Sequence, residues 1–81
     1  MIVDVVMPKY GPNMVEGLLV RWLKTVGDRI DKEEPLADIE TEKVTATVQA
    51  PDTGVVVALL VNEGDEAPVG APIARIEVGA A

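Results

Sequence analysis

Short aliphatic runs, cut every few residues by Gly, Pro, Asp or Glu, set the pattern of this chain. Taken as strands, they predict eight: Ile2–Met7, Gly17–Leu23, a short one around Ile30, Leu36–Thr41, Val44–Ala50, Gly54–Leu60, one around Val69, and Pro72–Val78. "MPKYGPNM" and "APDTG" read as loops, each marked by Pro and Gly. One segment is ambiguous. Leu19, Trp22, Leu23, Val26 and Ile30 fall near helical spacing, so this stretch alone passes for an amphipathic helix.

An internal duplication resolves it. Shifted by 37 residues, "GLLVRWLKTVGDRIDKEEPLADIE" (17–40) lies over "GVVVALLVNEGDEAPVGAPIARIE" (54–77). Nine of the 24 positions are identical: Gly17/Gly54, Val20/Val57, Leu23/Leu60, Gly27/Gly64, Asp28/Asp65, Pro35/Pro72, Ala37/Ala74, Ile39/Ile76 and Glu40/Glu77. The second copy carries Val55, Val56 and Val57 in a row, a β-branched cluster that packs well on a pleated surface. Equivalent segments share a state, so both are strands. "VGD" and "EGD" are then turns, with Gly supplying positive φ and Asp a side-chain hydrogen bond.

Eight short strands in two related halves predict an all-β fold: a flattened barrel or sandwich of two four-stranded sheets with pseudo-two-fold symmetry. The strand ending at Glu40 matches the strand ending at Glu77, which leads to the chain's end. The turn at Thr41–Val44 is therefore the symmetry mate of the gap between the two termini. Lys43 is expected at a hairpin tip on the side of the domain opposite the chain ends.

Composition narrows what such a scaffold does. At 81 residues it is one small domain, with 48% hydrophobic residues, no Phe, one Trp and one Tyr. That set suits thin aliphatic layers, and Trp22 is expected in the core. The net charge of −7 disfavours phosphate-backbone binding and anionic membrane surfaces. No apolar run approaches the ~20 residues of a membrane-spanning helix. The N-terminus shows no basic leader, and a cytoplasmic location, bacterial rather than mitochondrial, is expected. There is no Cys, His or Ser, so thiol redox chemistry, thiolate metal sites and the usual general base are missing. The chain is a poor candidate for catalysis alone. The neighbouring carboxylates Glu33 with Glu34 and Glu40 with Glu42 read as solvated surface charge.

Lys43 remains. A lysine at a hairpin tip needs no special explanation, and a free amine of ordinary pKa is protonated and weakly nucleophilic. Asp38, Glu40 and Glu42 surround it in sequence, which argues against Schiff-base chemistry. The other possibility is an amine presented for another enzyme to acylate.

Several stretches carry a resemblance at this point. "MPKYGPNMVEG" (7–17), "KTVGDRIDKEEPLADIETEKVT" (24–45), "APDTGVV" (50–56) and "NEGDEAPVGAPIARIE" (62–77) together resemble the lipoyl domains of 2-oxo-acid dehydrogenase acyltransferases, over essentially the whole chain. The resemblance implies that Lys43 carries lipoate through an amide bond. It implies that Glu42 and Val44 form the turn read by lipoate ligase or lipoyl transferase; Val44 stands where the family most often has Ala. It implies partners: a thiamine-diphosphate 2-oxo-acid decarboxylase (E1), an acyltransferase core, and the flavoprotein dihydrolipoyl dehydrogenase (E3). In that family the loop equivalent to "KYGPNM" packs near the lysine turn and helps the decarboxylase choose its domain, which nominates Tyr10 and Asn13 as contacts. The "PNM" sequence leans toward pyruvate or acetoin complexes. Residues 1–78 are expected to form the domain and 79–81 to begin a linker, making the chain part of a larger acyltransferase.

Two other readings of the fold remain at this stage. A biotin carrier domain resembles the same architecture but typically has Met on both sides of its lysine, where Glu42 and Val44 stand here. An unmodified β-sandwich acting as an interaction module is the other.

Overall fold

A computed structural model describes residues 1–42 and 44–79. Among the described residues every regular element is a strand, in chain order β1 (Ile2–Val6), β2 (Glu16–Trp22), β3 (Arg29–Ile30), β4 (Pro35–Glu40), β5 (Thr45–Gln49), β6 (Gly54–Leu59), β7 (Glu66–Pro68) and β8 (Pro72–Val78). They form two antiparallel four-stranded sheets, ordered β1-β8-β6-β3 and β5-β4-β2-β7. No ladder among the described residues joins the sheets into a closed barrel, so the architecture is the sandwich form of the expectation. The segment with helical spacing is β2, a turn and β3, as the duplication requires.

The sheets are built to one plan. Replacing β1, β8, β6 and β3 by β5, β4, β2 and β7 converts one strand order into the other. Even the irregularities repeat: β2 slips register against β4 between Leu19 and Arg21, and β6 against β8 between Val56 and Ala58. Edge strands repeat too, since β1 slips between Val5 and Val6 and its mate β5 does so where Pro35 gives way to Ala37 on β4. The turns follow suit. Gly27 and Gly64 both take positive φ, at 97° and 91°, where a side chain would be strained. Asp28 N–H donates to Thr25 O and, in the second copy, Asp65 N–H donates to Asn62 O, each at 3.0 Å; Asp28 Oδ2 also accepts the Thr25 backbone N–H at 2.8 Å and its hydroxyl at 3.1 Å.

One strand falls elsewhere than expected. β7 spans Glu66–Pro68 rather than centring on Val69. The physical reason is in the duplication: Ile30 aligns with Ala67, and both are the buried residue of their short strand.

The core is thin and aliphatic. Leu19, Ile30, Leu36, Ile39, Val56, Ile73 and Ile76 are fully buried, with Met7 the largest among them. Trp22 is half-buried and packs against this cluster, its indole N–H donating to Val61 O at 2.8 Å, which satisfies the one polar atom of the ring.

The sandwich measures 40 × 21 × 17 Å and has two distinct poles. At one, Val78 N–H donates to Met1 O at 2.8 Å, tying the first and last strands together. Its mate is the bond from Thr41 N–H to Val44 O, also 2.8 Å, closing the β4–β5 turn. β1 leads from the first pole to Met7, whose side chain abuts Gly17. Gly17 precedes Leu18, which pairs with Glu40 at the end of β4. The 41–44 turn therefore lies at the end of the sandwich away from the chain termini, as the duplication predicts.

Candidate functional site

Antiparallel pairing runs to Glu40 opposite Thr45, and the Thr41 N–H to Val44 O bond extends it by one step. The reverse bond is taken by a side chain: Val44 N–H donates to Thr41 Oγ1 at 3.2 Å. Thr41 thus secures the turn from both backbone and hydroxyl, with two residues of chain between the bonded pair. Glu42 and Val44 are exposed, Val44 by 48%. Lys43, the expected attachment point, lies outside the described residues.

Beside this turn stands the β1–β2 connection. Gly11 O accepts the Met14 N–H at 3.2 Å, making a tight bend at the Pro12–Asn13 step. Tyr10 fastens the loop to its neighbour: its hydroxyl donates to Thr47 O on β5 at 3.0 Å. The Tyr10 backbone N–H meets Met14 Sδ at 3.3 Å, and partial burial raises the phenol pKa above its ordinary value. The loop is therefore stapled to the outer edge of the strand that follows the turn. An open groove results. Its lining combines Tyr10, Pro12, Asn13, Met14 and Val15 of the connection with Leu18 of β2 and with Glu40, Thr41, Glu42 and Val44 at the turn; Glu16 and Glu66 lie on it as well.

Four residues singled out from sequence, Tyr10, Asn13, Glu42 and Val44, thus meet around one groove. Tyr10 does more than face outward, because its hydroxyl is engaged within the chain. Sequence reasoning missed Val15, Leu18, Glu16 and Glu66. A signal existed. Met7 and Ala50 are symmetry mates, as are Gly17 and Gly54, yet nine residues (8–16) join the first pair of positions and three (51–53) the second. That surplus builds the groove's wall.

Electrostatically the groove is one-sided. Glu16, Glu40, Glu42 and Glu66 line it, and no Lys or Arg does among the described residues. The residues present fit an amide-linked prosthetic group, which needs a lysine next to exposed neighbours on a firmly closed turn; Glu42, Val44 and the Thr41–Val44 bonds supply that setting.

Fold and site together define a small β-sandwich that displays one short turn at the pole away from its chain ends. Residues 3–76 match the biotin/lipoyl family model, described as biotin-requiring enzyme, and the chain belongs to that family. It is 44% identical over 73 residues, 90% of its length, to the dihydrolipoyllysine-residue acetyltransferase component of the pyruvate dehydrogenase complex of Corynebacterium glutamicum. It is 42% identical over 94% of its length to the acetyltransferase component of the acetoin cleaving system of Bacillus subtilis. The succinyltransferase component of the 2-oxoglutarate dehydrogenase complex of Staphylococcus saprophyticus is 41% identical, again over 94% of the chain. The chain spans 11%, 19% and 18% of those relatives, respectively. Among solved structures, the lipoyl domain of the 2-oxoglutarate dehydrogenase complex from Azotobacter vinelandii superposes with a TM-score of 0.77 at 29% identity, covering 96% of this chain and 99% of that one.

Proposed function

We propose that this chain is a lipoyl carrier domain, with lipoate joined to Lys43 through an amide bond. The observation that carries the reading is the Thr41–Val44 turn, closed by two hydrogen bonds at the pole opposite Met1 and Val78. Relatives named for a dihydrolipoyllysine residue support lipoate over biotin. Bound lipoate supplies the disulfide redox and acyl-accepting chemistry that a chain without Cys, His or Ser lacks. The protein's own part is to hold the flanks of the lysine in a strand-turn-strand shape that a ligase can read, with Glu42 and Val44 on either side. Acylation of the amine removes one positive charge, taking the formal net charge from −7 to −8.

The carrier serves the decarboxylase, acyltransferase and dihydrolipoyl dehydrogenase of a 2-oxo-acid dehydrogenase complex. Tethering keeps its visits effectively intramolecular, at roughly millimolar local concentration. Residues 1–78 form the carrier unit of a cytoplasmic acyltransferase. The same kind of domain occurs outside acyltransferases, since a Rhizobium meliloti protein named pyruvate dehydrogenase E1 component subunit beta is 43% identical over 75 residues. Pyruvate or acetoin complexes are the proposed setting, on the "PNM" sequence of the loop.

Incubation with lipoate–protein ligase, ATP and lipoate, followed by intact mass, tests the assignment. One lipoyl group is expected on the wild type and none on Lys43→Arg. Modification of that variant at another lysine, or efficient loading by biotin ligase instead, would sink it. Reductive acylation of the loaded domain by candidate decarboxylases, each with its own 2-oxo acid, assigns the complex.

A further inference from the structure

The geometry points to the groove between the β1–β2 loop and the 41–44 turn as a resting site for the domain's own lipoyl arm: an apolar seat for the aliphatic chain and its ring. This rests on the lipoyl reading above. The duplication provides the internal control. The halves agree in strand order, register slips and turn bonds, so the scaffold is complete without the surplus residues of the 8–16 connection. Three residues suffice for the equivalent crossing at 51–53, near the chain termini. The surplus is nevertheless held firmly, by Tyr10 to Thr47 O and by Val69 N–H to Val15 O at 2.9 Å. It presents the apolar side chain of Val15, which the core does not use, while Met14 packs against the core cluster. Val15 is 73% exposed, and with Met14, Leu18 and Val44 it gives the groove an apolar lining.

The occupant follows from position and charge. Glu42 and Val44, which line the groove, are the immediate neighbours of Lys43 in the chain, so an arm attached there starts at the groove's edge. Acylated lysine is neutral, and the lipoyl chain beyond it is apolar; both suit an aliphatic lining. The four carboxylates discourage anionic ligands from the same space. Burying part of a flexible arm in an open groove also restricts its rotors, so the seat is occupied part of the time and releases the arm readily.

The test uses the lipoylated protein, with intact mass confirming attachment. NOEs from dithiolane and methylene protons to the Val15 and Val44 methyl groups are expected, with amide shift changes reaching from the turn into residues 10–18. Val15→Ser is expected to raise the rate at which dithiothreitol reduces the ring by about twofold to fivefold. Val26→Ser, also at an exposed valine but outside the groove, is expected to leave that rate unchanged. Shift changes confined to residues 42–44, or equal reduction rates in all three proteins, overturn the proposal and leave the carrier assignment standing. So do groove contacts that arise only on adding a decarboxylase, which make the groove a partner surface. A sample that takes no lipoyl group at Lys43 removes both.

Discussion

The hydroxyl of Tyr10 donates to the carbonyl of Thr47 at 3.0 Å, joining residues 37 apart in sequence and fixing the β1–β2 loop beside the turn that follows β4. Thr47 also uses its own hydroxyl, which donates to Asp38 Oδ1 at 3.2 Å. One residue on an edge strand thus organises both a loop and a cross-strand contact.

Tyr10→Phe removes that loop bond and keeps the ring. Because the Thr47 carbonyl sits at an edge where water can replace the donor, the expected cost is small, about 0.5–1.5 kcal/mol. At ~4–8 °C per kcal/mol for a domain of this size, the melting temperature should fall by several degrees. Backbone 15N relaxation should show faster motion of residues 9–15 while β1 and β5 are unchanged. Ligase loading at Lys43 should persist, since the turn's own bonds are made by Thr41 and Val44.

Gly17 and Gly54 are symmetry mates with different neighbours. A Cβ on Gly17 would lie 2.8 Å from Met7 Sδ and 3.2 Å from Met14 Cε, both flexible chain ends. A Cβ on Gly54 would collide with the backbone carbonyl oxygen of Glu77. Gly17→Ala is expected to cost about 1–3 kcal/mol through repacking. Gly54→Ala should cost more, enough to unfold much of a domain whose total stability is ~4–12 kcal/mol. Urea melts of the two variants, in that order of stability, check the claim.

The mates Glu33 and Gly70 differ in the opposite sense. Glu33 takes φ of 70°, the left-handed region, where its mate is Gly70 at 86°. Replacing Glu33 by Gly relieves the side-chain clash of that conformation and adds freedom to the unfolded chain, with a net gain of roughly 0.5 kcal/mol expected. Gly70→Ala should instead destabilise by about 1 kcal/mol. Thermal melts of both variants beside wild type decide it.

Acid should loosen the two turns flanking β3. Asp28 is held below its ordinary 3.8 by the Thr25 backbone N–H, then by the Thr25 hydroxyl. Glu34 is held below its ordinary 4.5 by the Asp31 backbone N–H, then by Lys24. A carboxylate depressed in the folded state contributes stability that is complete above its unfolded pKa and is lost as pH falls through the folded value. Melting temperature should therefore decline as pH drops below about 4.5. Asp28→Asn combined with Glu34→Gln should melt lower near neutrality and show a shallower decline. Parallel slopes for variant and wild type would contradict the assignment.

The sequence carried more of the scaffold than of the site. Aligning 17–40 with 54–77 settled strand against helix for Leu19–Ile30, because Val55–Val57 cannot hide its β character. It also located the 41–44 turn at the pole away from Met1, since two-fold relations hold for gaps as well as strands. β7 falls earlier than the pattern predicts because Val69 is the larger apolar residue there, yet Ala67, the mate of Ile30, is the buried one. The groove was only half legible. Tyr10, Asn13, Glu42 and Val44 came from family resemblance, whereas Val15 and Glu66 gave no periodic signal. Their placement depends on the Tyr10–Thr47 and Val15–Val69 bonds, which join distant parts of the chain and leave no trace in local pattern.

The matched bonds at Thr41–Val44 and Val78–Met1 mean that the polymer's start and finish occupy a position the fold already knows how to bridge. A two-residue linker from Val78 to Met1, with a new cut between Glu42 and Val44, would exchange the halves and restore every ladder. In that permuted molecule the cut falls in the stretch that carries Lys43, so the ladders survive while the closed turn that displays it does not.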